Sequence, residues 1–303
     1  MRGSEPQVRD TGTIMAAVVL SIRDDRRYKQ MAEKTRNHSL CEKKPYIAVI
    51  LGIIIPTVFV GIGGAIAGQI SNEAGYIGMC VFAVITMLIF RRRFSPEFKG
   101  FVKTEASGKD VCIVMGLFAV LEIFTILEPL FLQRAFYFRP SILAVIQGLA
   151  AGFGEEVMFR IVSLAIVMRY VRKENRFAAV IILAVVFGLS HAGNATQGAD
   201  LLMTVIQVIH STFLGFLLTE LYLGTGSAVF PIFAHALHDF ICFVTDPLIS
   251  EEGILTQQYS TEQILLEVIA AAIIGIIALC LLGTNKLSKA NEIWDKKWGG
   301  EKA

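Results

Sequence analysis

The segment Gly154-Glu155-Glu156-Val157-Met158-Phe159-Arg160 sets three charges inside a stretch that is otherwise apolar enough for a membrane helix. An ionisable group at bilayer depth is costly, rare and usually functional. Glu156 and Arg160 are four residues apart, so on a helix they share a face and can neutralise one another. Glu155 is left without a local partner, and that carboxylate is the first candidate for chemistry. Other apolar segments carry further ionisable groups. His191 closes Phe187-Gly188-Leu189-Ser190-His191, and His235-Ala236-Leu237-His238-Asp239 holds two histidines and an aspartate. His235 and Asp239 share a helix face, so Asp239 can hold the His235 ring in one orientation. His238 lies off that face and is the weaker candidate.

A carboxylate beside an imidazole can take a proton from water and make the water nucleophilic. A second imidazole aimed at a carbonyl oxygen can stabilise the tetrahedral oxyanion. Glu155, His191, His235 and Asp239 thus supply the minimum equipment for hydrolysing an amide, with Glu156 and Arg160 as supporting residues. The chain has no GxSxG motif. Ser190 adjoins His191 and so faces elsewhere on the helix, which favours water over a covalent nucleophile. Two other readings stay open. His191, His235 and one carboxylate could bind zinc with an open position for water, although no HExxH motif is present. Alternatively the charges bind a partner or relay protons in a non-catalytic immunity factor, scaffold or transporter. For Glu155, Glu156 and Arg160 the plainest alternative is an ion-pair network holding helices together. His210 reads as an interhelical hydrogen-bonding group, and Glu122 and Glu128 as packing or cavity-lining residues.

These groups need helices to position them. The chain has 303 residues, 54% of them hydrophobic and 18% charged, with mean hydropathy +0.60. That balance leaves too little polar surface for a soluble protein and implies an all-α polytopic membrane protein. Apolar segments fall at 46–70, 75–90, 111–132, 141–171, 177–192, 201–222, 227–248 and 261–282, which predicts about eight transmembrane helices around an intramembrane active-site cavity. At ~1.5 Å rise per residue, His191 lies ~21 Å past Phe177 and His235 ~12 Å past Ser227, compatible with one layer. The segments 23–44, 91–109, 169–176 and 286–302 are rich in Lys and Arg, whereas 71–74, 193–200 and 246–260 have none. The positive-inside rule therefore places both termini in the cytoplasm, in a multi-pass protein of the cell membrane. Residues 1–45 read as a cytoplasmic extension, 46–285 as the helical domain with its catalytic core at 141–246, and 286–303 as a basic cytoplasmic tail. The cysteines Cys41, Cys80, Cys112, Cys242 and Cys280 show no metal-ligand spacing and read as small hydrophobes.

The pattern EExxxR, then FxxxH, then HxxxN/D, each in its own membrane helix, resembles the CPBP family of CAAX prenyl proteases and bacteriocin-processing, Abi-type proteins. Here the three motifs are Glu155 to Arg160, Phe187 to His191 and His235 to Asp239. The resemblance covers about residues 141–246. It implies a glutamate intramembrane endopeptidase with an eight-helix core and no required metal or other cofactor. Carried over, Glu155 activates water together with His191, and His235 and the residue at 239 stabilise the oxyanion, while Glu156 and Arg160 shape the site. The prenyl-protease branch usually has Asn where this chain has Asp239. An ionised aspartate cannot donate to an oxyanion, which leaves it an orienting role or a protonated state and points toward the Abi-type branch. The implied partners are a lipidated or membrane-associated peptide substrate and membrane lipids, with no nucleic acid.

Overall fold

A computed structural model describes residues 40–95, 97–132, 137–245, 260–283 and 287–300. Most of the expected N-terminal extension, the 246–259 loop and the last three residues of the tail lie outside the described residues. The described residues form helices and no strand. We number the main helices α1 (Pro45–Gly68), α2 (Asn72–Ile89), α3 (Gly108–Leu132), α4 (Ile142–Tyr170), α5 (Lys173–Ser190), α6 (Leu201–Thr225), α7 (Val229–Thr245), α8 (Thr261–Gly283) and α9 (Ser288–Lys297). Seven of them, α1 to α6 and α8, are long and apolar enough to cross a membrane. The eighth expected span, α7, is apolar but has 17 residues. At 1.5 Å per residue it covers about 25 Å, slightly less than a hydrocarbon core of about 30 Å. The protein is therefore a multi-pass membrane protein.

Capping explains where several helices start. Ser71 accepts a hydrogen bond from the Ala74 amide and starts α2, three residues before the apolar run alone suggested. Ser141 does the same for α4 through Ala144, and Asp200 for α6 through Met203. Many large apolar residues of α1, α2 and α8 stay exposed, such as Ile55, Ile66 and Ile273. In a membrane such faces meet lipid tails, so no aqueous penalty attaches to them.

The helix that carries Glu155 is the innermost. Every residue of α4 from Val162 to Met168 is buried. On one side α4 packs against α1 and α2, and on another against α7, which in turn lies against α3 and α6. The approach of α4 to α7 is set by Gly148 and Gly152. A Cβ on either would come within 2.5 Å of the Ala236 and Ile232 carbonyl oxygens, respectively. Small residues one turn apart let two membrane helices touch backbone to backbone. That contact brings the residues after Gly152 beside the middle of α7.

Within α4, two π-helical turns, Ala151–Glu155 and Val157–Ile161, flank Glu156. A π turn inserts an extra residue and re-registers the side chains around it, and such turns are frequent at functional sites. The basic segments between and after the helices gather against one another. Arg169 pairs with Glu97, Lys173 with Asp295, and Arg176 donates to Asn291. Three of the four segments singled out for positive charge thus lie at one end of the molecule.

Candidate active site

His235, buried on α7, is the centre of the polar site. Its Nδ1 lies 2.7 Å from Glu156 Oε1. The same Glu156 oxygen accepts from Arg160 Nη1, so the expected i, i+4 pair is present and both members are buried. A carboxylate held as the acceptor of a guanidinium needs a donor from the ring, so Nδ1–H donates to it. The other ring nitrogen, Nε2, then faces two more carboxylates. It lies 3.8 Å from Glu155 Oε2 and 3.7 Å from Asp239 Oδ1. These separations exceed a hydrogen bond but leave strong Coulomb contact in an apolar surrounding. Glu155 and Asp239 keep 29% and 28% of their side chains exposed, whereas His235 keeps 4% and Glu156 none. The buried pair therefore forms the floor, and the two half-exposed carboxylates face whatever enters.

The expectation that Asp239 holds the His235 ring is revised by this geometry. Glu156, 79 positions away in sequence, makes the hydrogen bond, and Asp239 stands beside the opposite nitrogen. Helix periodicity places Asp239 near His235 but cannot show which neighbouring helix supplies a closer carboxylate.

His191 joins through Phe187. Its Nδ1 is 3.1 Å from the Phe187 carbonyl oxygen on its own helix, so that nitrogen donates and Nε2 is left for other work. The Phe187 ring, itself buried, stands edge-on to both imidazoles, at 5.1 Å from His191 and 5.9 Å from His235. Over its face lies the Arg160 guanidinium at 3.8 Å, a cation–π contact in a desolvated setting. Phe187 is the residue whose role sequence reasoning missed. Phe187 opens the FxxxH motif, but the spacing does not show that its ring meets both imidazoles and the Arg160 guanidinium.

Glu155, Glu156, Arg160, His235 and Asp239 are thus brought together directly, and His191 through the Phe187 ring. His210, Glu122 and His238 gather elsewhere: His238 Nδ1 is 2.9 Å from Glu122 Oε1, and the His210 ring stacks on that of His238. Among the described residues, no group of three His, Cys, Asp or Glu side chains is arranged to hold a metal ion.

Comparison with curated proteins and with solved structures gives no match. Residues 137–241, which include all three polar motifs, match the family model described as Rce1-like, Type II CAAX prenyl endopeptidase Rce1-like. On that match the chain carries a domain of the Rce1-like type II CAAX prenyl endopeptidase family, and it is a membrane protease.

Proposed function

We propose that this protease is an intramembrane endopeptidase that cuts a lipidated or membrane-associated peptide by glutamate-activated water. The observation that carries the reading is the two-sided environment of His235. Glu156 fixes one ring nitrogen, and the other meets the half-exposed Glu155. Glu155 takes a proton from the attacking water, and the water oxygen adds to the scissile carbonyl carbon. His235 and His191, whose Nδ1–H groups are taken by Glu156 and the Phe187 carbonyl, stabilise the developing oxyanion in their imidazolium forms by donating from Nε2–H. Glu155 then returns the proton to the leaving amine. Asp239 contributes charge at His235 Nε2 and is not assigned an oxyanion contact. The gathering of basic segments at one end supports a cytosolic location for that end, and hence for α9.

Peptidomics of membranes carrying wild type or Glu155→Gln tests this reading. A peptide present with wild type and absent with Glu155→Gln is the expected result. In a reconstituted assay with that substrate, the loss should be about 10²–10⁴-fold, the range for a positioned general base. Equal product in both membranes, with equal protein levels, would assign the polar site to a non-catalytic role.

A further inference from the structure

A second buried polar cluster lies beside the proposed catalytic set and takes no part in it. Glu122 on α3 and His238 on α7 are both buried, and His238 Nδ1–H donates to Glu122 Oε1 at 2.9 Å. The other ring nitrogen, Nε2, is 3.8 Å from Cys242 Sγ, one turn further along α7. The second carboxylate oxygen, Glu122 Oε2, is buried and has no hydrogen-bond partner. His210 from α6 lies nearly parallel to the His238 ring, 17° apart with centroids at 5.9 Å. Cys242 itself is only half-buried.

The order of these groups is thiol, imidazole, carboxylate. Glu122 fixes the proton on Nδ1, so the lone pair of neutral His238 sits on Nε2 and faces the thiol. A nucleophile within reach of a base that a third group orients is the signature of an activated nucleophile. Thiolate character controls cysteine reactivity, and an imidazolium beside the sulfur stabilises the thiolate. Electrophiles that reach a thiol between membrane helices arrive through the apolar phase. A reaction without a leaving group suits such a site, because nothing charged has to escape between packed helices.

We propose that Cys242 is an activated thiol and a modification site for α,β-unsaturated carbonyl compounds dissolved in the bilayer. The thiol proton passes to His238 Nε2, and an Sγ–C bond forms at the β-carbon. The π electrons of the C=C bond move to the enolate, which recovers a proton from the His238 imidazolium. No oxidant, reductant or leaving group is required.

The test is timed labelling of the full-length protein in detergent micelles with N-ethylmaleimide, itself an α,β-unsaturated carbonyl, read at each cysteine by peptide mass spectrometry. Cys242 should react at least about tenfold faster than Cys80, another half-buried cysteine of an apolar helix. His238→Gln should remove that advantage, and Glu122→Gln should reduce it severalfold, with the rates at Cys80 and Cys112 unchanged as a sign of an intact fold. Equal wild-type rates at Cys242 and Cys80 overturn the proposal, even where a variant fails to fold. So does an undiminished Cys242 rate in a folded His238→Gln protein.

Discussion

Glu156 and Asp239 stand at the two nitrogens of one imidazole, and substituting each separates ring orientation from local charge. Glu156→Gln leaves Arg160 buried without its counter-charge and weakens the bond to His235 Nδ1. Breaking a buried ion pair by removing one partner costs about 3–5 kcal/mol. A lower melting temperature in detergent and loss of proteolysis are therefore expected together. Asp239→Asn is different, because residue 239 is half-exposed and lies 3.7 Å from Nε2 without a hydrogen bond. It gains an N–H donor on the side where the carbonyl oxygen is proposed to sit. Activity within about tenfold of wild type is expected, a change of at most roughly 1.4 kcal/mol in the barrier. A complete loss with unchanged melting temperature would make the Asp239 charge essential. The contrast also shows what sequence can disclose at this scale. The Glu156–Arg160 pair was legible because it is local to one helix. The Glu156–His235 bond was not, since it depends on how deeply α4 and α7 sit against each other.

That depth belongs to the elements. Gly148 and Gly152 let α4 meet α7 at backbone contact, and no side chain fits between them without moving a helix. Gly152→Val should push α7 away and open the Glu156–His235 contact. Overpacking of this kind costs about 1–3 kcal/mol, so the protein should remain expressed but lose cleavage, as measured with the substrate found by peptidomics. A folded Gly152→Val protein with full activity would refute the role given to this crossing. The π turns call for a second support. At the end of the second, the buried Tyr222 hydroxyl donates to the Ile161 carbonyl oxygen at 2.9 Å. Tyr222→Phe removes that bond alone and should lower kcat by severalfold with KM unchanged, because the substrate contacts stay in place. The eight apolar segments were all legible as helices from hydropathy. Their starts were less so: Asn72 and Glu73, behind the Ser71 cap, and Lys173, which follows no side-chain cap, are polar and fell outside the apolar runs. The two wide turns left no mark in composition: the residues 151–161 read as ordinary helix, and only packing around Glu156 distinguishes them.

For the molecule as a whole, the basic end is a tertiary structure in its own right and not a set of loose loops. The amphipathic α9, expected only as a basic tail, inserts Trp294 between helices, with its indole N–H donating to the Leu223 carbonyl and its ring edge-on to Tyr222 at 4.9 Å. Phe98 and Trp298 pack beside it. Lys297, at the end of α9, is buried and donates from Nζ to the Lys103 carbonyl oxygen at 2.6 Å. Its sequence neighbours could not reveal this, since Lys296 and Lys297 look alike in a basic run. Burial is the main cause that brings the Lys297 pKa down to about 8, opposed by Glu105 and reinforced by Lys103 and Lys99. In the unfolded chain a lysine titrates near ~10.4. Between those values the unfolded state holds a proton that the folded state has released, so stability rises with pH across the window. Below pH about 8 both states are protonated and this contribution is flat. The melting temperature of the wild type should therefore climb relative to Lys297→Met as pH goes from 8 toward 10, and the two curves should run parallel below 8. Parallel curves over the whole range would mean that Lys297 keeps an ordinary ammonium, with α9 held at the basic end by its aromatic contacts alone.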